Sequence, residues 1–132
     1  MIDLGNGLSP LVQHLAPSFN EMIVVVEPFL NSLHHSQALI DDLSIICDGK
    51  IGIYVVVNYR QRSDTPALSV LQIQSNFRTP VEISLMPAPE LYQMASRRHM
   101  IASQITLDSS TYLQFQNLAE KVVIRSNRTV IS

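Results

Sequence analysis

Residues 51–59, Ile-Gly-Ile-Tyr-Val-Val-Val-Asn-Tyr, are apolar at both parities. In an extended chain Ile51, Ile53, Val55, Val57 and Tyr59 share one face, and Tyr54 and Val56 the other. A strand facing water on one side alternates apolar with polar. This one does not, and it predicts a central strand with a covering layer on each face. The run Ile53 to Val57 is too short to cross a bilayer, which takes about 20 apolar residues. Met22 to Val26 is equally short and is bounded by Glu21 and Glu27. No membrane span is expected. The first residues, Met1-Ile2-Asp3-Leu4-Gly5-Asn6-Gly7, lack the basic and apolar regions of a secretory signal.

Upstream of that strand, residues 8–42 read as helical. Ser9-Pro10 is an N-cap followed by Pro at the first helical position, where the missing N–H costs nothing. Ser18 with Glu21 three residues on has the form of a capping box. Pro28 divides the helical stretch, and Phe29, Leu30, Leu33, Leu39, Ile40 and Leu43 then recur at helical spacing. A strand over Met22–Val26 competes with this reading, because consecutive valines disfavour helix; helix is the expectation adopted.

Downstream the pattern turns to strands. Asp48-Gly49 between two apolar runs predicts a hairpin joining 43–47 to 51–59. Leu71, Ile73 and Phe77 alternate with amide-bearing residues as a half-exposed antiparallel strand would, and Val81, Ile83 and Leu85 follow suit. A short helix is expected from Pro89 to about Arg98, then a strand over 100–107. Alternation at 113–116 and a terminal hairpin of 122–125 with 129–131 close the chain. The expected fold class is α+β: a single domain over 1–132, with an N-terminal helical element over 8–42. The β-rich portion over 43–132 forms a mostly antiparallel sheet or sandwich of six to seven strands.

Few familiar chemistries fit. All four glycines lie within the first 52 residues, and no phosphate-cradling loop or nucleophile elbow is present. His34-His35 and Asp41-Asp42 are the densest potential metal ligands. On a helix His34 and Asp41 lie about 10.5 Å apart along the axis, too far to share one ion, so a solvated helix face is expected. His14 and His99 are remote from both in sequence. Cys47 follows Leu43-Ser44-Ile45-Ile46 and reads as a small buried hydrophobe. No cofactor, metal or catalytic residue is assigned. The single cysteine fits a reducing intracellular compartment, the cytoplasm first and the nucleus also compatible.

The charges are more telling. Only 15% of residues are charged, against about 25% in a typical domain. Residues 1–59 carry six acids and one lysine; residues 60–132 carry every arginine in the chain. Arg60/Arg62, Arg97/Arg98 and Arg125/Arg128 form local pairs. Arginine, unlike lysine, is enriched in protein interfaces, because its planar fork pairs bidentately and stacks. The leading expectation is therefore a non-enzymatic interaction subunit or adaptor, self-associating as a homo-oligomer or held in a larger complex, with these six arginines as partner-binding candidates. An accessory nucleic-acid-binding domain using the same arginines is the alternative. A small enzyme or ligand-binding domain with His99 or His34/His35 in a pocket comes third.

Overall fold

The computed structural model describes residues 4–59, 66–85, 89–101 and 110–131, the side chains of 89, 90, 110, 111 and 125–131 excepted. Helix α1 (Pro10–Leu15) leads through a 3-10 turn (Ala16–Ser18) into strand β1 (Glu21–Val26). Helix α2 (Leu30–Ile46), strand β2 (Gly52–Asn58), helix α3 (Val70–Asn76) and strand β3 (Val81–Leu85) follow, then helices α4 (Pro89–Arg97) and α5 (Ser110–Ile131). The strands pair in the order β1-β2-β3, and both pairs are parallel.

This overturns the expected α+β class with its antiparallel sheet or sandwich of six to seven strands. Among the described residues the sheet has three strands, all parallel, and the fold is α/β. Three local causes account for the difference. Glu21–Val26 is a strand because its four consecutive β-branched residues stiffen at χ1 and pair residue for residue with Gly52–Val57. It therefore interrupts the helical element expected over 8–42, and Ser18 caps no second helix.

The second cause is Asp48-Gly49. Both residues are left-handed, with φ of 52° and 66°, as a hairpin turn would have required. Here they end α2. The Asp48 N–H donates to the Ile45 carbonyl at 3.2 Å and the Gly49 N–H to the Ser44 carbonyl at 2.8 Å, the two bonds of a Schellman motif. Residues 43–46 thus complete a helix instead of starting a hairpin.

The third cause is helix where strand was expected. Ser69 Oγ accepts from the Gln72 N–H, and Gln72 Oε1 accepts from the Ser69 N–H at 2.9 Å, a complete capping box that starts α3. Ile73 and Phe77, four residues apart, are buried, while Leu71 is 83% exposed. In α5 the half-buried Tyr112, Phe115, Leu118 and Val122 recur every three or four residues, so the expected strand and terminal hairpin do not form. The helix expected near 89–98 is present as α4. The strand expected over 100–107 falls mainly on 102–109, outside the described residues.

β2 is central, and both of its faces are covered. On one face Val24, Val26, Val55 and Val57 meet Leu33 and Ile40 of α2 and Ile73 and Phe77 beside α3. Since α2 and α3 connect strands in the same direction across the sheet and lie on the same face, the two crossovers share one hand. A second apolar cluster joins Val12 and Ala16 to Leu43, Cys47 and Ile51, seating the N-terminal turn against the last part of α2. On the other face Tyr54 and Val56 are buried, and the Tyr54 hydroxyl donates to the Lys121 carbonyl of α5 at 3.4 Å. A register shift beyond Val55 sets Val81 opposite Val55 but Ile83 opposite Val56, so one extra residue re-aims β3 partway along.

Candidate functional site

The two edges of the sheet are treated differently. In a parallel ladder, alternate residues of a strand direct both N–H and C=O to the same side. Tyr59 donates to the Leu85 carbonyl at 2.8 Å, so odd-numbered residues at the end of β3 face β2 and Glu82 and Ser84 face outward. Both outward carbonyls are occupied. Gln114 Nε2 of α5 donates to the Ser84 carbonyl at 2.7 Å, and Lys121 Nζ lies 3.5 Å from the Glu82 carbonyl. The same ammonium is paired with Glu82 Oε2 at 3.2 Å. The last helix thus lies along the β3 edge and closes it with side chains.

At β1 the same reasoning gives the opposite result. The Gly52 N–H donates to the Asn20 carbonyl at 3.0 Å, so even-numbered residues face β2. Glu21, Ile23 and Val25 therefore turn their N–H and C=O groups outward. The next outward N–H in the series, that of Glu27, is capped by Ser32 Oγ at 3.2 Å. Among the described residues the backbone groups of Glu21, Ile23 and Val25 have no such cap. Their side chains share a face of the sheet with Tyr54 and Val56; on that face α5 packs against β3 and receives the Tyr54 hydroxyl, and it leaves Ile23 and Val25 exposed. Ile23 is 40% exposed and Val25 60%. A broad open groove runs beside this edge, with Phe19, Met22, Phe29, Leu30 and Leu39 among its apolar lining.

Glu21 adds a polar feature. Its cross-strand neighbour is Gly52, and its carboxylate lies over that glycine: a Cβ at 52 would fall 1.9 Å from Glu21 Oε2. In that position Oε2 is buried without a hydrogen-bond partner. A carboxylate oxygen in this state is poorly solvated and gains from any donor or cation that reaches it.

The residues singled out from sequence do not assemble here. Arg97 ends α4 and Arg98 follows it, both exposed, with the Arg98 N–H donating to the Met94 carbonyl at 3.1 Å. Arg60 and Arg62 lie outside the described residues, and Arg125 and Arg128 belong to α5 with their side chains outside the description. Arg78, not singled out, pairs with Asp41, and its N–H donates to Gln37 Oε1 at 2.9 Å, tying α2 to the turn before β3. His34, His35 and Asp42 are exposed on α2, as expected of a solvated face. Among the described residues no three His, Cys, Asp or Glu side chains are grouped to hold a metal ion. Cys47 is buried; desolvation, and then the Asp48 charge, push its thiol pKa up and keep it protonated. Among the described residues no helix is long and apolar enough to cross a membrane.

The β1 edge escaped sequence reading, although a signal existed. Four β-branched residues between two glutamates resemble an apolar strand bracketed by charges that discourage indiscriminate pairing. Comparison with protein-family models, with curated proteins and with solved structures finds no match to this chain.

Proposed function

We propose that this chain is a non-enzymatic protein-interaction subunit that engages its partner through the β1 edge, extending the sheet by strand addition. The observation that carries the reading is the asymmetry of the sheet: Gln114 and Lys121 close the β3 edge, while Glu21, Ile23 and Val25 present uncapped backbone groups beside apolar side chains. Exposed strand edges template pairing with another polypeptide, and proteins with no use for an edge cover, charge or shorten it. Among the described residues, one edge is covered and the other is left open. Backbone pairing supplies affinity in such docking, and the alternate side chains supply selectivity.

Sedimentation velocity on the full chain, alone over a wide concentration range and mixed with an extract of its source cells, tests the reading. Wild type is expected to enter a larger species in at least one condition. Val25→Pro, which removes an outward N–H and leaves the β1–β2 ladder intact, is expected to stay monomeric. If both sediment as the same monomer throughout, the proposal fails.

A further inference from the structure

Building on that reading, we infer that the strand accepted at the β1 edge belongs to another protein and carries a lysine or arginine opposite Glu21, followed by apolar residues at alternate positions. Glu21 makes the distinction. Its Oε2 is buried over Gly52 with no partner, so swinging the carboxylate out toward an added strand breaks no hydrogen bond of that oxygen. A cation on the added strand would supply the missing partner, and opposite charges directly across a strand pair are favourable. The alternating apolar requirement follows from Ile23 and Val25, which stand exposed on one face and would be covered by every second residue of a neighbour.

A second copy of this chain fits less well. β1 has a glutamate at its start, another just past its end, and no cation between them. Two-fold antiparallel pairing that brings the outward residues together is centred on Ile23 or on Val24, and sets Glu21 across from Val25 or from Glu27 of the second copy. In neither register does self-pairing bring a cation to Glu21. The β3 edge offers no alternative, because Gln114 and Lys121 occupy its carbonyls. Of the two arrangements expected from composition, a homo-oligomer and a larger complex, this favours the second, with a heterologous partner that carries a basic residue beside an apolar strand.

The test uses the full chain and synthetic peptides of about seven residues, with valine at alternate positions and either lysine or glutamate at both ends. The lysine-ended peptide is expected to bind and to slow amide exchange at Ile23 and Val25. Its affinity should fall about fivefold in Glu21→Gln, the scale of a partly exposed ion pair, and should weaken with added salt. Val25→Pro should abolish binding, and thermal melts of both variants check that they fold. If both peptides bind equally and Glu21→Gln changes nothing, the basic-partner inference is overturned while strand addition survives. If neither peptide binds but the chain self-associates and Val25→Pro prevents it, the occupant is a second copy and the inference again fails alone. If no peptide binds and no association occurs, inference and proposed function fall together.

Discussion

Gln114 Nε2 donates to the Ser84 carbonyl at 2.7 Å, so a side chain of the last helix holds a position that an incoming strand would need. Lys121, seven residues further along α5, guards the Glu82 carbonyl in the same way. Replacing Gln114 by Ala is expected to cost about 0.5–1.5 kcal/mol, the net value of one such bond. Combining it with Lys121→Ala should also uncover a second sheet edge, read as concentration-dependent association in light scattering. A double variant that scatters like wild type would mean these side chains do not protect the edge.

Gly52 and Glu21 should be energetically coupled. Gly52→Ala puts a methyl group where Glu21 Oε2 lies, 1.9 Å from it, and forces that side chain to move. Alone the substitution is expected to yield little or no stability, although alanine in a strand normally gains about 0.4–1 kcal/mol over glycine by restricting the unfolded chain. In a Glu21→Ala background the full gain should appear. A double-mutant cycle by urea denaturation gives the coupling directly. Strict additivity of the two changes would show that the close approach has no energetic consequence.

Leu71 and Ile73 lie two residues apart and have opposite fates. Ile73 is fully buried and Leu71 is 83% exposed. Ile73→Ala is expected to cost about 2–5 kcal/mol, whereas Leu71→Ala should change stability by less than about 0.5 kcal/mol. Equal losses at both positions, measured by denaturant titration, would favour a strand over 71–77 and contradict α3.

The end of α2 gives a prediction of opposite signs at adjacent residues. Asp48 holds φ at 52° and Gly49 at 66°, in the region where a Cβ is penalised. Asp48→Gly is expected to raise the melting temperature, and Gly49→Ala to lower stability by about 1–2 kcal/mol. No atom lies within 4 Å of a Cβ built at Gly49, so the loss would come from backbone conformation alone. An unchanged melting temperature for Gly49→Ala would exclude the left-handed cap.

Alkaline pH should unfold the chain progressively. Burial raises the Tyr59 pKa above its ordinary value of 10.0. Burial, then the Asp48 charge, raises that of Cys47 above 9.0. With the folded pKa above the unfolded one, the folded state binds more protons in that window. These groups' contribution is therefore intact below the unfolded value and is lost as pH rises toward the folded value. Stability is expected to decline from about pH 9 upward, less steeply in Cys47→Ala and Tyr59→Phe. The second variant also loses the bond from the Tyr59 hydroxyl to the Leu68 carbonyl, so its stability at neutral pH should drop too. Identical alkaline slopes in wild type and both variants would contradict this assignment.

What the sequence disclosed was local. The two-sided apolarity of residues 52–58 announced a central strand, Ser9-Pro10 announced the start of α1, and the left-handed potential of Asp48-Gly49 is realised in both residues. What remained hidden depended on context. The same pair of left-handed residues serves a hairpin or a helix end, and which one depends on whether the preceding turn has packed, as Leu43 has. Alternating Leu71, Ile73 and Phe77 fit two periods at once; the Ser69–Gln72 box was the local clue that separated them. The arginines drew attention by type. The edge at β1 is built from backbone groups, which every residue possesses and which no composition count can register.

The strand order carries a consequence for how the chain is made. Because β1, β2 and β3 lie side by side in the order of their synthesis, no strand has to insert between two others. Each newly emerged strand finds its docking place already formed by the one before it. The chain can therefore assemble progressively from its amino end, with β2 itself terminating the sheet until β3 arrives. Helix α5, which follows all three strands in the sequence, supplies Gln114 and Lys121, the residues that bring this growth to a stop.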